Sequence, residues 1–174
     1  MFKGCTGLTS APELPATTLD FACYSSMFYG CTGLTSAPEL PATTLGWCCY
    51  SRMFDGCTKL TSAPELPATN LANYCYEYMF QNCKSLETAP DLNASSLQSD
   101  CYQYMFAGCT SLKNIKCLAR GTLTGTTGSY LYTSNWLKDV PDRGTFVCSY
   151  RGNWGTNSAS SIPSGWKVVE TQNQ

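Results

Sequence analysis

Histidine is absent from all 174 residues, and charge is scarce: Lys and Arg number 11, Asp and Glu 12, together 13% of the chain with a net charge of −1. The first absence excludes a histidine-based catalytic triad, an H-E-x-x-H metal site and histidine general-base chemistry. The second leaves no polybasic field, so nucleic acid and anionic membrane surfaces are not expected partners. No run of 18 apolar residues offers a membrane-spanning helix, and Met1 is not followed by the basic start and apolar core of a signal peptide.

What the chain has instead is repetition. Met-Phe recurs at Met1, Met27, Met53, Met79 and Met105, always 26 residues apart. Units 1–26, 27–52, 53–78 and 79–104 are complete; a partial unit spans 105–118, after which the pattern is left near Arg120. A repeat of this length is the signature of a solenoid, in which one unit cannot bury its apolar rows alone and must stack on the next.

Two periods share each unit. The first half, LTSAPEL from Leu8 to Leu14, reads as a short strand with Leu8, Ala11 and Leu14 inward, Pro12 and Glu13 outward. Proline has no N–H to donate and recurs at Pro38, Pro64 and Pro90, so the strand is expected to be poorly paired. The second half reads as a short helix. Leu19, Cys23 and Met27 are four apart, Tyr24 and Phe28 form the adjoining row, and Thr17 or Thr18 stands where a helix cap belongs. Gly4, Gly30, Gly56 and Gly108 fall just past the expected helix end, where a left-handed residue closes the last turn; Asn82 replaces them in the fourth unit.

The pattern L-x-x-A-P-x-L-P-x-x-x-L-x-x-x-C-Y-x-x-M-F-x-G-C-x-x-L resembles the BspA-type leucine-rich repeats of bacterial cell-surface proteins, over about Met1 to Leu118. The tail, with its GTF and SIPSGW motifs, is similar to the endings of many such proteins. The expected fold is therefore α/β: a right-handed leucine-rich-repeat solenoid of 26-residue coils, each a short strand plus a short helix, with four to five coils and a β-rich C-terminal cap. The segment 119–174 is read as that cap. It carries Trp136, Trp154, Trp166 and the strand-like runs GTFVCSY and WKVVE, and covers the last apolar layer; a separate carbohydrate-binding module is the alternative. At the other end, Phe2, Leu8, Leu14 and Leu19 of the first coil would stand open, so self-association or preceding repeats are expected there.

Twelve cysteines demand an account. Cys5, Cys31, Cys57, Cys83 and Cys109 form one column; Cys23, Cys49, Cys75 and Cys101 form another. Their spacings alternate between 18 and 8, unlike the C-x-x-C of zinc sites. A column of five cannot pair completely, so buried free thiols are expected, with Cys117 and Cys148 the first pair to consider for a disulfide. Glu13, Glu39, Glu65 and Asp91 make an acidic stripe, read as a solvated face or as the lure for a cation or basic partner. The stripe holds no residue that would split its pKa values, and the run GTLTGTTG lacks the lysine of a phosphate loop. No enzyme, metal or cofactor is expected.

Between units the frame is constant, while aromatic residues vary on it: Phe21, Tyr29, Trp47, Tyr74, Tyr78 and Tyr104. They either fill gaps between coils or form a recognition surface. The resulting expectation is a non-enzymatic binding or adhesion protein presenting a rigid face to a protein or glycan. Its cell-surface location is what the resemblance implies. The alternatives are a structural subunit of a phage or surface-fibre assembly, and a redox-active thiol protein.

Overall fold

The computed structural model describes residues 1–95, 97–119, 132–150, 154 and 162–171, and the run at 121–128 lies outside them. Successive 26-residue units stack in register, so each residue type forms a column. Leu34, Leu60, Leu86 and Leu112 line one wall of the interior; Met53, Met79, Met105 and the phenylalanines line another. Phe2, Phe28, Phe54, Phe80 and Phe106 stack ring on ring with centroids 5.5–5.7 Å apart. Tyr24, Tyr50, Tyr76 and Tyr102 do the same at 5.9–6.2 Å.

Those spacings overturn the expected helix. Packed helices sit 8–10 Å apart, and a side wall repeating every 6 Å has no room for them. Among the described residues there is no α-helix. The segment from Ala72 to Cys83, where the third unit passes into the fourth, shows what replaces it. Cys75, Glu77, Met79, Gln81 and Cys83 donate their N–H groups three residues back, to the carbonyls of Ala72, Tyr74, Tyr76, Tyr78 and Phe80. The residues between them, Tyr74, Tyr76, Tyr78, Phe80 and Asn82, donate instead to the next coil, onto Ser99, Cys101, Gln103, Met105 and Ala107 at 2.8–3.1 Å. Overlapping turns thus satisfy half the donors locally and the ladder satisfies the rest, which buried backbone requires.

Every fourth residue of this ribbon is left-handed: Tyr74, Tyr78 and Asn82 have φ of 58°, 56° and 59°. Each is the third residue of a turn, the place where a type II turn needs positive φ. Between the first and second units Ala22, Ser26 and Gly30 are left-handed at the same spacing, with Tyr24 left-handed between them at φ 60°. Gly30, Gly56 and Gly108, with φ of 69°, 78° and 74°, are left-handed as the sequence predicts, but they belong to a turn ribbon and cap no helix. Thr17 and Thr18 cap nothing either: Thr18 bridges to Thr44 in parallel, and the Thr17 carbonyl accepts from Thr43.

On the proline side the expected weak pairing is what the structure shows. Ser10, Ser36 and Ser62 meet only as isolated parallel bridges. In the fifth unit the proline position is occupied by Lys116, a residue with an N–H, and a regular strand appears at once: β1, Asn114–Cys117. Strands β2 (Thr145–Cys148) and β3 (Lys167–Glu170) follow it in one parallel sheet of order β1-β2-β3. The outward prolines prove uneven, since Pro12 is exposed whereas Pro64 and Pro90 are buried.

The winding runs on across residue 119. Tyr102, Tyr104, Phe106 and Gly108 donate to the carbonyls of Tyr132, Ser134, Trp136 and Lys138, so the turn ladder continues into the C-terminal segment. There Trp136 succeeds Phe106 in the aromatic column and meets Phe146 edge-on at 6.0 Å and Trp154 at 5.3 Å. This aromatic cluster covers the last repeat.

Candidate recognition surface

Most of the cysteines of the two columns are buried in the stack. The thiols of Cys31, Cys57, Cys83 and Cys109 donate to the carbonyls of Phe2, Phe28, Phe54 and Phe80 in the preceding coil, at 2.9–3.1 Å. Each thiol is thus a small apolar filler with one donor for an otherwise half-used carbonyl. Burial pushes the thiols of Cys57 and Cys109 up to about 12 and that of Cys83 well above its ordinary value. Cys49, Cys75 and Cys101 are buried in the second column, and these thiols are free. The first coil departs from the expected burial, with Cys5 exposed and Cys23 only half-buried, because no coil lies over them in this structure. Cys117 and Cys148 are register partners on β1 and β2, both fully buried.

The acidic stripe is where the sequence places it: Glu13, Glu39, Glu65 and Asp91 are all exposed at the proline corner. Between rungs lie clefts of about 390, 600 and 360 Å³, lined by the prolines and carboxylates of successive coils. The ammonium of Lys116 reaches Asp91, so the chain neutralises the last rung itself. No group of three or more potential metal ligands comes together among the described residues.

The six variable aromatics divide. Tyr78 and Tyr104 stack at 5.0 Å; the Arg52 guanidinium lies 3.8 Å over Tyr78, and Asn135 donates to the Tyr104 hydroxyl at 3.1 Å. These two fill space between rungs, and Tyr74 is half-buried. Beneath them sits a polar group the sequence reading missed. Asp55, 4% exposed, pairs with Arg52 at 3.2 Å and accepts from Asn82 at 3.3 Å. Burial raises its pKa, while the Asn82 and Arg52 contacts pull it back down. Tyr29 is partly exposed beneath the Lys3 ammonium, 4.9 Å from the ring centre.

Phe21 and Trp47 are different. They are 68% and 58% exposed and occupy equivalent positions on adjacent coils. Three bonds bracket them: Gly46 N–H to the Leu19 carbonyl at 2.8 Å, the Cys49 thiol to Asp20 at 2.8 Å, and Ala22 N–H to the Trp47 carbonyl at 2.8 Å. Gly46 is required, because a Cβ there would lie 2.6 Å from the Asp20 carbonyl carbon. The next residues in this row are Asn73 and Ser99. The arrangement was recoverable by adding 26 to Phe21 and noting that the row changes from ring to amide.

A stack of 26-residue coils with leucine columns and parallel pairing from coil to coil defines a leucine-rich-repeat solenoid. The sequence matches the BspA type leucine rich repeat region in six copies, across residues 1–96 and 23–141, and the chain belongs to that family. No curated protein and no solved structure matches it. Leucine-rich repeats generally mediate protein binding, and no helix among the described residues is long and apolar enough to cross a membrane.

Proposed function

We propose that this chain is a non-enzymatic binding protein of adhesin type, presenting a rigid repeat face to a protein or glycan at the cell surface. The observation that supports the reading is the pair Phe21 and Trp47: two large apolar side chains left in solvent on a backbone fixed by hydrogen bonds on both sides. Exposed aromatics on a pre-ordered frame bind without the entropic cost of ordering a loop. The acidic clefts add a second contact zone for basic groups.

The test is binding of the purified chain to immobilised matrix proteins and glycans, beside a Phe21→Ser, Trp47→Ser double variant. The expected result is saturable binding that the double variant loses while keeping the wild-type melting temperature. Binding unchanged in the double variant would remove the surface from the proposal, and binding to neither class would remove the proposal itself.

A further inference from the structure

The row that begins at Phe21 runs straight along the stacking axis. Its register is pinned bond by bond: Ala22 donates to the Trp47 carbonyl, Cys48 to that of Asn73 and Tyr74 to that of Ser99, at 2.8–3.0 Å. The adjoining tyrosine column sets the step at 5.9–6.2 Å per coil. Two rings and then an amide therefore follow one another at a fixed spacing, and the row closes at Ser99, which is buried and donates its hydroxyl to Asp100 at 2.8 Å. Asp20 flanks the first ring; one of its carboxylate oxygens accepts the Phe21 N–H at 2.7 Å, which holds the group in place and leaves a second acceptor oxygen.

The size of the patch selects its occupant. At their observed exposures the two rings offer on the order of 250 Å² of apolar surface. A stable protein interface buries about 800 Å² on each side, of which the patch would be only a part, whereas it is by itself of the right order for one or two sugar rings. The apolar C–H face of a pyranose lies flat on an aromatic ring, and its equatorial hydroxyls need acceptors and amides at the edge, which Asp20 and Asn73 supply. The absence of any Lys or Arg from the row, beside an aspartate, disfavours acidic sugars.

We infer that Phe21, Trp47 and Asn73, with Asp20, form a saccharide site on which a neutral oligosaccharide lies along the solenoid axis, one ring over each aromatic. The inference rests on the binding reading above and specifies its ligand class. Trp47 supplies the signal, because Trp136, Trp154 and Trp166 are 0%, 8% and 5% exposed. The probes are cellotetraose, maltotetraose and chitotetraose, with tetragalacturonate as the acidic counterpart, and the readout is iodide quenching of the full chain. At least one neutral tetrasaccharide should shield Trp47 saturably, and tetragalacturonate should not. By calorimetry Phe21→Ala and Trp47→Ala should each weaken binding tenfold or more, Asp20→Asn severalfold, and Phe21→Tyr little. Failure of all three neutral sugars to shield Trp47, or binding that survives Phe21→Ala and Trp47→Ala, overturns the assignment. If the wild-type chain ignores the sugars but binds a purified matrix protein through the same two rings, the saccharide assignment falls and the binding reading stands.

Discussion

Replacing Ala22 or Ser26 by glycine separates a turn ribbon from a helix by the sign of the effect. Both residues are left-handed, with φ of 55° and 54°. A non-glycine residue in that region carries a penalty of about 1–2 kcal/mol, which glycine removes. Glycine costs roughly 0.5–1 kcal/mol in extra chain entropy on folding, so the net is a stabilisation of about 0.5–1 kcal/mol. Ala22 also gives up part of one half-buried methyl, worth less than about 0.8 kcal/mol, which makes Ser26 the cleaner site. In a helix interior the same change would destabilise by up to about 1 kcal/mol. Gly30→Ala supplies the mirror image. A Cβ there meets nothing closer than the Gly4 Cα at 3.8 Å, so its expected loss of about 1 kcal/mol comes from φ alone. Asn should be tolerated better than Ala at this position, as Asn82 already is in the fourth unit. Urea unfolding with a common m-value reads the differences, and each kcal/mol should move the melting temperature by about 2–4 °C. Two destabilised glycine variants, or a neutral Gly30→Ala, would refute the left-handed ribbon.

Two further outcomes follow from the core. The thiols of Cys57, Cys101, Cys109 and Cys117 are raised by burial from 9.0 to about 12, so the folded chain holds protons that the unfolded chain releases above pH 9. Stability should be unaffected by these groups below pH 9 and fall between 9 and 12, each contributing a slope of about −1.4 kcal/mol per pH unit; denaturant titrations at pH 8, 9 and 10 check this, and a flat profile contradicts it. Trp136 is fully buried between Phe106, Phe146 and Trp154, so Trp136→Ala should cost about 3–5 kcal/mol, measured by calorimetry, with Trp136→Phe far milder.

The stacking, the columns and the left-handed glycines were legible because they depend on counting, and a count of 26 survives any local conformation. The helix was misread for a physical reason that the residues themselves contain. Leu19, Cys23, Met27 and Cys31 recur at strictly four, whereas a helical face drifts and must alternate threes with fours. Where the third unit passes into the fourth the burial runs in pairs: Cys75 and Tyr76 in, Glu77 and Tyr78 partly exposed, Met79 and Phe80 in. That pairing is what overlapping four-residue turns produce. The weak helix formers of the segment, Ser, Cys, Tyr, Phe and Asn, agree with it. The weak pairing at the prolines was read correctly, since a missing N–H needs no tertiary knowledge, whereas the burial of Pro64 and Pro90 depends on packing between coils. The aromatics could not be sorted in advance: Tyr78 and Phe21 look alike as variable residues, and only Arg52 and Tyr104 lying over one of them decides between gap-filling and exposure.

The strict register of the columns also governs how such a gene can change length. A single inserted residue would move every later leucine, cysteine and phenylalanine out of its column and break the rungs on both sides. Removal of a whole unit, such as Met53–Tyr78, would instead bring Arg52 against Met79 with each column again meeting its own kind. The nearly identical units 1–26 and 27–52 are the kind of template on which recombination slips. Length in this protein is therefore quantised, and its reach along the axis would lengthen or shorten in whole coils while the chemistry of each face is copied unchanged.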